Sequence, residues 1–150
     1  MRDVVSEVGT IYTGLTDLQI IKTTQTSPSV DLANFNGAMI YILADQWTDG
    51  TITPVIQESD ASGSGFATVA NADLVAWTAT STTDFTPVRV GGAQPAAISS
   101  AATAINQRVG YIGGKRYIRV VSTVTGSPGT GMGYDVVILA GLPRTRPSAV

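Results

Sequence analysis

Residues 109–144 decide the fold class of this chain: VGYIGGKRYIRVVSTVTGSPGTGMGYDVVILAGLPR. The segment contains two long runs of β-branched and aromatic residues, which only Gly, Ser and Pro interrupt. That composition is typical of paired strands in a sheet protein. We therefore predict strands over residues 116–125 and 134–140, joined by a flexible loop over residues 126–133.

A third strong strand signal, AMIYILA at residues 38–44, is apolar on both of its faces. Ala38, Ile40 and Ile42 alternate along it with Met39, Tyr41 and Leu43. A strand that is apolar on both faces is usually covered on both faces. Because only one face of a sandwich strand points into the core, we expect the other face to meet a second layer, a loop or another subunit.

The dipeptide Asp49-Gly50 is a strong turn signal. It follows Trp47 and precedes a strand-like run at residues 51–58, so the sequence predicts a hairpin here. Pro54 interrupts this run, and proline cannot donate a hydrogen bond to a sheet ladder. We therefore expect an edge strand, or a bulge at Pro54.

The remaining signals are weaker. Short strands are predicted over residues 18–23, 66–69, 88–90 and 103–111. Residues 76–101 show little periodicity and are interpreted as a long excursion, with a helix over residues 95–106 as a minor alternative.

Seven or eight short strands separated by turn signals predict an all-β fold, an antiparallel β-sandwich, with a jelly roll as one arrangement of it. The expected organisation is an N-terminal arm over residues 1–14, which could also hold a first short strand. A sandwich domain follows over residues 15–141, and an extended C-terminal tail over residues 142–150.

Composition excludes several classes of function. Charged residues make up 13% of the 150 residues, against about 25% in an average protein. The net charge of −2 and the absence of a lysine-rich run argue against direct binding to nucleic acid. No apolar run approaches the roughly 20 residues that span a bilayer, and the N-terminus is too polar for a signal peptide. We therefore expect a soluble protein made in a cytoplasm, with no membrane partner.

Residues for chemistry are scarce, since the chain has no His and no Cys. A Ser–Lys pair would need Lys22 or Lys115, and a solvated turn is the more frequent role of a Gly-Gly-Lys sequence. Glu58 and Asp60 could act as paired carboxylates, or with Ser62 as a cation loop, but a polar loop is the favoured interpretation. The sequence predicts no enzyme, no metal site and no cofactor.

Aromatic residues could instead form a platform for a sugar: Trp47, Trp77, Tyr41, Tyr111 and Tyr117. The favoured alternative is that they fill the core and form cross-strand pairs. Arg119 is predicted to share a strand face with Tyr117 and could reach a carboxylate on a partner, or lie at a solvated edge.

The order of motifs resembles a family of small proteins from the structural gene clusters of tailed bacteriophages, some of which are head decoration (cement) proteins. The motifs are WTDGT at 47–51, QESD at 57–60 with Phe66, Asp73-Leu74, VGYIG at 109–113, KRYIRV at 115–120 and GLPR at 141–144. The sequence departs from the family pattern after Asp60, where ASGSG replaces a second acid and a glycine, and residues 77–92 look like added length.

The resemblance implies a virion protein on the capsid surface, made in the host bacterium. It would bind the major capsid protein and copies of itself, as a homotrimer. The alternatives are a head–tail joining or tail protein, and a carbohydrate-binding β-sandwich. The residues predicted to contact partners are Arg2, Val4, Val5, Tyr12, Arg119, Arg144 and Arg146.

Overall fold

The computed structural model describes residues 8–13, 19–45, 47–79, 87–100 and 106–144, and it confirms an all-β sandwich. Two antiparallel sheets pack against each other. Sheet A has seven strands: β1 (Val8–Thr13), β2 (Gln19–Ile21), β5 (Phe35–Asp45), β8 (Leu74–Ala79), β9 (Pro87–Gly91), β10 (Asn106–Tyr111) and β12 (Met132–Pro143). Sheet B has five: β3 (Gln25–Thr26), β4 (Val30–Asp31), β6 (Thr51–Ser59), β7 (Ala67–Thr68) and β11 (Tyr117–Thr125).

The longest strands lie at the centre of each sheet. The order in sheet A is β1-β12-β5-β10-β8-β9, and β2 continues the edge beside β12. The order in sheet B is β3-β11-β6-β7, and β4 pairs with the other end of β11. A single 3-10 turn, Asn71–Asp73, is the only helical element in the described part of the chain.

Alternation places one face of every central strand in the core. On β12, Tyr134, Val136 and Ile138 are each no more than 1% exposed. They pack with aliphatic side chains from both sheets, among them Ile40 of β5 and Ile118 of β11. Burying one large aliphatic side chain stabilises a fold by about 1.5–3 kcal/mol, so this layer is the main source of stability.

The two runs that decide the fold class form strands that do not pair with each other. β11 belongs to sheet B, where it pairs with β3, β4 and β6, whereas β12 belongs to sheet A, where it pairs with β1, β2 and β5. The two strands face each other across the core. Strand composition alone carries no information about which sheet a strand joins.

The predicted hairpin at Asp49-Gly50 is wrong for a similar reason. β5 and β6 lie in different sheets, so the turn connects the two layers. The Asp49 carboxylate accepts hydrogen bonds from the backbone N–H groups of Gly129 and Gly131 at 2.7 and 2.6 Å. Gly50 adopts φ +80°, and a Cβ there would lie 2.9 Å from Pro128. Two connections between the sheets therefore pack side by side, and Asp49 holds them together.

Pro54 lies where its missing N–H costs nothing. Its neighbours Ile52 and Ile56 on β6 direct their N–H groups away from β11, to the carbonyl of Ile98 and to the side-chain carbonyl of Gln94. By alternation the nitrogen of Pro54 points the same way, and β7 covers β6 only at Gln57 and Glu58. As a whole β6 lies between β11 and β7, so it is not an edge strand and carries no bulge, but its stretch around Pro54 has the open side that a proline needs.

The structure extends or corrects several other boundaries. β1 occupies residues 8–13 of the predicted arm, which agrees with the alternative of a first short strand, and β12 continues through Pro143 into the predicted tail. Part of the predicted excursion at residues 76–101 is a regular hairpin of β8 and β9. Residues 95–100 contain no helix, while residues 101–105 of that alternative lie outside the described residues.

Two tyrosines of sheet A reach across the sandwich to polar groups of sheet B. The Tyr111 hydroxyl donates to Glu58 Oε2 at 2.6 Å, and it accepts from the N–H of Lys115 at 3.0 Å. The Tyr134 hydroxyl lies 2.8 Å from Ser122 Oγ, and both residues are buried. These bonds satisfy polar atoms that would otherwise destabilise the core.

Candidate interaction surface

The outer face of sheet A is apolar across its central strands. Alternation directs every second side chain of β5 and β12 away from the core, and the register places these outward residues side by side. We define this outer face by Met39, Tyr41, Leu43, Val75, Val137 and Leu139, all of which are half-buried or buried. In a sandwich whose outer faces meet only water, these positions would be polar.

The outer face of sheet B has a different character, although it belongs to the same sandwich. Its outward positions on β6 and β11 are Thr51, Thr53, Val55, Gln57, Tyr117, Arg119, Val121 and Thr123. Hydroxyl, amide and guanidinium groups predominate there, and only Val55 and Val121 are aliphatic. The apolar composition is therefore specific to sheet A and is not a general property of the chain.

A close contact packs the β8–β10 side of the outer face of sheet A. Gly110 pairs with Val75 across the strands, and a Cβ at Gly110 would lie 2.6 Å from Val75 Cγ2. Val75 is only 7% exposed, yet it does not belong to the core cluster between the sheets. A glycine at this position lets the valine lie flat over the neighbouring strand, which keeps the face level.

Ile20 extends the apolar character to the other side of the face. It pairs with Gly133, and its neighbour Ile21 points into the core, so Ile20 points outward. At 58% exposure it is the more exposed of the two large apolar side chains that the described residues leave open to solvent. Its exposure leaves apolar surface available for a contact.

Two charged residues lie within this apolar surface, and a third, the exposed Asp45, lies at its end on β5. Arg108 of β10 pairs with Tyr41, and Asp135 of β12 pairs with Leu43, so both point outward. Arg108 is exposed, and within the described residues its side chain makes no hydrogen bond or ion pair. Asp135 is half-buried and accepts one hydrogen bond, from the N–H of Val136 at 2.7 Å. Neither Arg108 nor Asp135 therefore has an ionic partner within these residues.

The structure describes the side chains of two of the predicted contact residues, Arg119 and Arg144. Arg119 lies on the outer face of sheet B, where it donates to Gln57 Oε1 at 2.9 Å and stacks 4.0 Å from the ring centroid of Phe66. Arg144 is exposed and donates to the carbonyl of Phe35 at 3.2 Å. The Nε–H of Arg119 is therefore engaged within the chain, and the predicted contacts of Arg119 and Arg144 with partners stay predictions.

The other predicted contacts lie partly or wholly outside the described residues. Tyr12 is in β1, where its backbone pairs with Ile138, and its side chain is not described. Arg2, Val4, Val5 and Arg146 lie outside the described residues, so their predicted contacts stay predictions.

The structure does not gather the aromatic residues into a platform. Tyr111 is buried in the core, whereas Tyr41 and Tyr117 lie on the outer faces of opposite sheets. Trp47 packs against the core and donates from its indole N–H to the carbonyl of Gly50 at 3.1 Å. The side chain of Trp77 lies outside the described residues. Of the five predicted platform residues, the four whose side chains the structure describes therefore do not share one surface.

The candidate carboxylates are engaged in structural contacts. Glu58 accepts from Tyr111, and burial raises the pKa of that tyrosine above its usual range. Asp60 pairs with Lys115 at 2.6 Å in an exposed position, and this hydrogen bond raises the pKa of the Lys115 ammonium. The other lysine, Lys22, donates to the carbonyl of Gly129.

These acids do not assemble into a metal site within the described ranges, where no group of three or more Asp, Glu, His or Cys side chains occurs. In the same residues no helix has the length and apolarity to cross a bilayer. The feature that stands out is the outer face of sheet A.

Comparisons with protein-family models, with curated proteins and with solved structures find no match to this chain. The functional argument therefore rests on the surface geometry and on the motifs in the sequence.

The sequence showed part of this surface. The alternation in residues 38–44 already predicted a strand that is apolar on both faces, and Met39, Tyr41 and Leu43 form its outward side. Val137 and Leu139 form the outward side of the predicted strand at residues 134–140. Val75 and Arg108 were missed because their place on the face depends on β8 and β10 joining sheet A. That assignment follows from long-range pairing, which short sequence windows do not report.

Proposed function

We propose that this chain is a structural protein that acts by binding neighbouring proteins, and that it decorates the head shell of a tailed bacteriophage. The observation that carries the proposal is the apolar outer face of sheet A beside the polar outer face of sheet B. Contiguous apolar surface of this kind marks interaction sites in soluble proteins. The resemblance of the motifs to phage structural proteins supports the more specific role.

The mechanism we propose is mechanical. Each copy would contact subunits of the major capsid protein and further copies of itself, and many modest contacts would add up through multivalency. The low charge favours such contacts because few charged groups would lose their hydration on binding. The arm over residues 1–14 and the tail over residues 142–150 are the segments proposed to reach neighbouring subunits.

Sedimentation with empty shells tests this function. Purified protein is mixed with expanded shells and, separately, with unexpanded shells of the phage that carries the gene, and each mixture is pelleted through a sucrose cushion. We expect the protein to pellet with expanded shells and to stay in the supernatant when centrifuged alone. Protein that remains in the supernatant with both kinds of shell would remove the decoration role.

Electron microscopy of the same complexes separates the head surface from the tail axis. A decoration protein adds density in a regular array over the whole shell. Density confined to one vertex, in a ring of six or twelve copies, would instead support the alternative of a head–tail joining or tail protein.

A further inference from the structure

The outer face of sheet A carries a charge pattern that complements itself. Arg108 and Asp135 lie on opposite sides of β5, on β10 and β12, and Tyr41 lies between them. Strands in a sheet lie about 4.8 Å apart, so the two charged residues of one copy are separated by roughly 10 Å across the strands. Their registers differ by one outward position, which is about 7 Å along the strand. Within one copy the two side chains project side by side from the same face, and no ion pair between them occurs among the described residues.

We propose that this face binds a second copy of the same chain through a two-fold axis that runs parallel to β5 near Tyr41. Such an axis places β10 of one copy over β12 of its partner, and β12 over β10. Arg108 then faces the partner's Asp135 with an offset of one outward position along the strand, and the reverse pair forms at the same time. A two-fold interface uses the same patch on both copies, so one favourable ion pair becomes two.

The reach of the side chains permits this contact. Sheets that pack face to face lie about 10 Å apart, and the offset of about 7 Å along the strand gives roughly 12 Å between the Cα atoms of Arg108 and the partner's Asp135. An extended arginine and an aspartate together span most of that distance. The usual crossing angle of about 30° between packed sheets is able to close the remainder.

The alternative orientation is unfavourable. A two-fold axis perpendicular to β5 would place β10 over the partner's β10, and Arg108 would face a second arginine. It would also place Asp135 on the same side as the partner's Asp135. Like charges held together in an apolar interface cost several kcal/mol, so Arg108 and Asp135 favour the orientation that pairs β10 with β12. The exposed Asp45 of β5 lies at the end of the face, so in this orientation it faces its own copy only at the rim of the interface.

The apolar residues suit the same arrangement. Tyr41 lies close to the proposed axis and would stack on its own copy, while Leu43, Val137 and Leu139 would fill the layer around it. The strands β10, β5 and β12 over the seven residues from Met39 to Asp45 present roughly 340 Å² on each copy before side-chain relief is counted. Two copies therefore bury at least about 700 Å², an area at the low end for protein interfaces that suits a weak, reversible dimer.

The proposal concerns the isolated protein and does not depend on the shell. It also differs from the homotrimer that the sequence resemblance implies, because a closed trimer cannot use one self-complementary patch on all of its copies. The mass of the purified protein in solution separates these cases. Light scattering after size-exclusion chromatography, run from low to high micromolar concentration, should show a reversible monomer–dimer equilibrium.

A matched pair of variants locates the interface. Val137→Lys places a charge in the centre of the outer face of sheet A, and Val121→Lys places the same charge at a half-buried outward valine of sheet B. We expect Val137→Lys to raise the dimer dissociation constant at least about tenfold and Val121→Lys to leave it unchanged. Circular dichroism and thermal unfolding of each variant confirm that both remain folded.

Charge reversal tests the orientation. Arg108→Glu and Asp135→Lys should each weaken the dimer about tenfold or more, because each places like charges opposite each other. The double variant restores opposite charges and should recover most of the wild-type affinity. Recovery at low salt that diminishes at high salt would further identify an ionic contact.

Four outcomes would overturn the proposal. They are a monomer at every concentration, a trimer, a dimer that Val137→Lys does not weaken, and a double charge reversal as weak as the single ones. Binding to shells is measured separately, so a monomer that still sediments with expanded shells would reject the dimer and keep the proposed function. A dimer that does not sediment with either kind of shell would keep the dimer proposal and reject the proposed function.

Discussion

The hydroxyl pair of Tyr134 and Ser122 gives a stringent test of how the two longest apolar runs meet. The two oxygen atoms lie 2.8 Å apart and join β12 of sheet A to β11 of sheet B. Ser122 is 2% exposed and Tyr134 is fully buried, so neither hydroxyl could turn to bulk water if its partner were removed. The perturbation is a double-mutant cycle with Tyr134→Phe and Ser122→Ala.

The magnitude follows from what each variant leaves behind. Tyr134→Phe leaves the Ser122 hydroxyl buried without a partner, and Ser122→Ala does the same to Tyr134, so each should lower the free energy of unfolding by about 1–3 kcal/mol. The double variant removes both hydroxyls, so no buried polar group is left without a partner. It should therefore lower the free energy of unfolding by no more than about 1 kcal/mol. The coupling energy, which is the sum of the two single losses minus the double loss, is then about 1–5 kcal/mol.

Urea unfolding monitored by tryptophan fluorescence measures these free energies, and each kcal/mol corresponds to about 2–4 °C in Tm for a domain of this size. Tyr111→Phe combined with Ser122→Ala is the matched control, since Tyr111 bonds to Glu58 and not to Ser122. The control energies should add within about 0.5 kcal/mol. Additive energies for Tyr134 and Ser122 would refute the reasoning, because they would mean that the two strands do not face each other as described.

Three further predictions concern pH and one sheet edge. Burial raises the pKa of Tyr134 from 10.0 to about 12. Because the tyrosine of the unfolded chain ionises first, its contribution to the free energy of unfolding is fully present below about pH 10 and falls by up to about 3 kcal/mol as pH rises to 12. Tyr134→Phe should reduce this dependence on pH in alkaline denaturation. The N–H groups of Gly131 and its neighbours lower the pKa of Asp49. The stability that this carboxylate contributes is present above its pKa in the unfolded chain and is lost as pH falls through its lower pKa in the folded protein. Asp49→Asn should therefore be less stable at neutral pH, and its free energy of unfolding should depend less on pH below pH 4. Gln94→Ala removes bonds to the N–H of Ile56 and to two carbonyls and should cost about 2–3 kcal/mol in urea unfolding.

Each of these predictions has a contrary outcome. An unchanged alkaline slope in Tyr134→Phe would mean that this tyrosine is solvated in the folded protein. An Asp49→Asn variant with wild-type acid behaviour would show that the carboxylate does not hold the two connections. A fully stable Gln94→Ala variant would imply that water replaces the amide at the edge of β6 without cost.

The sequence predicted strands well wherever local pattern dominates. The alternation in residues 38–44 and the runs around Ile118 and Ile138 give strong signals, since buried and outward residues alternate strictly there. The open side of β6 around Pro54 was also predictable, because Pro54 cannot donate to a neighbouring strand.

Sheet membership was not predictable from the same patterns. The turn at Asp49-Gly50 has the residues of a hairpin, but its conformation depends on the backbone of residues 129–131, about 80 residues further along the chain. β8 was missed because its pairing partners are β9 and β10, and its residues show little alternation of their own. Long-range contacts therefore decided the arrangement that local propensity left open.

The candidate surface was predictable only in part, because it depends on both local alternation and long-range pairing. The strand at residues 38–44, which is apolar on both faces, indicated that something covers the outer side of β5. The charge pattern of Arg108 and Asp135 became visible only when the register placed them on opposite sides of Tyr41.

The oxidation rate of Met39 tests the central claim that the outer face of sheet A is covered by a protein neighbour. Met39 is half-buried on this face, whereas Met132 is 1% exposed in the core and serves as the internal control. Hydrogen peroxide converts accessible methionine to the sulfoxide, and peptide mass spectrometry reports each position separately. The account predicts that Met39 oxidises several times more slowly in concentrated or shell-bound protein than in dilute protein, while Met132 stays slow in both. Equal rates for Met39 in all of these states would contradict it.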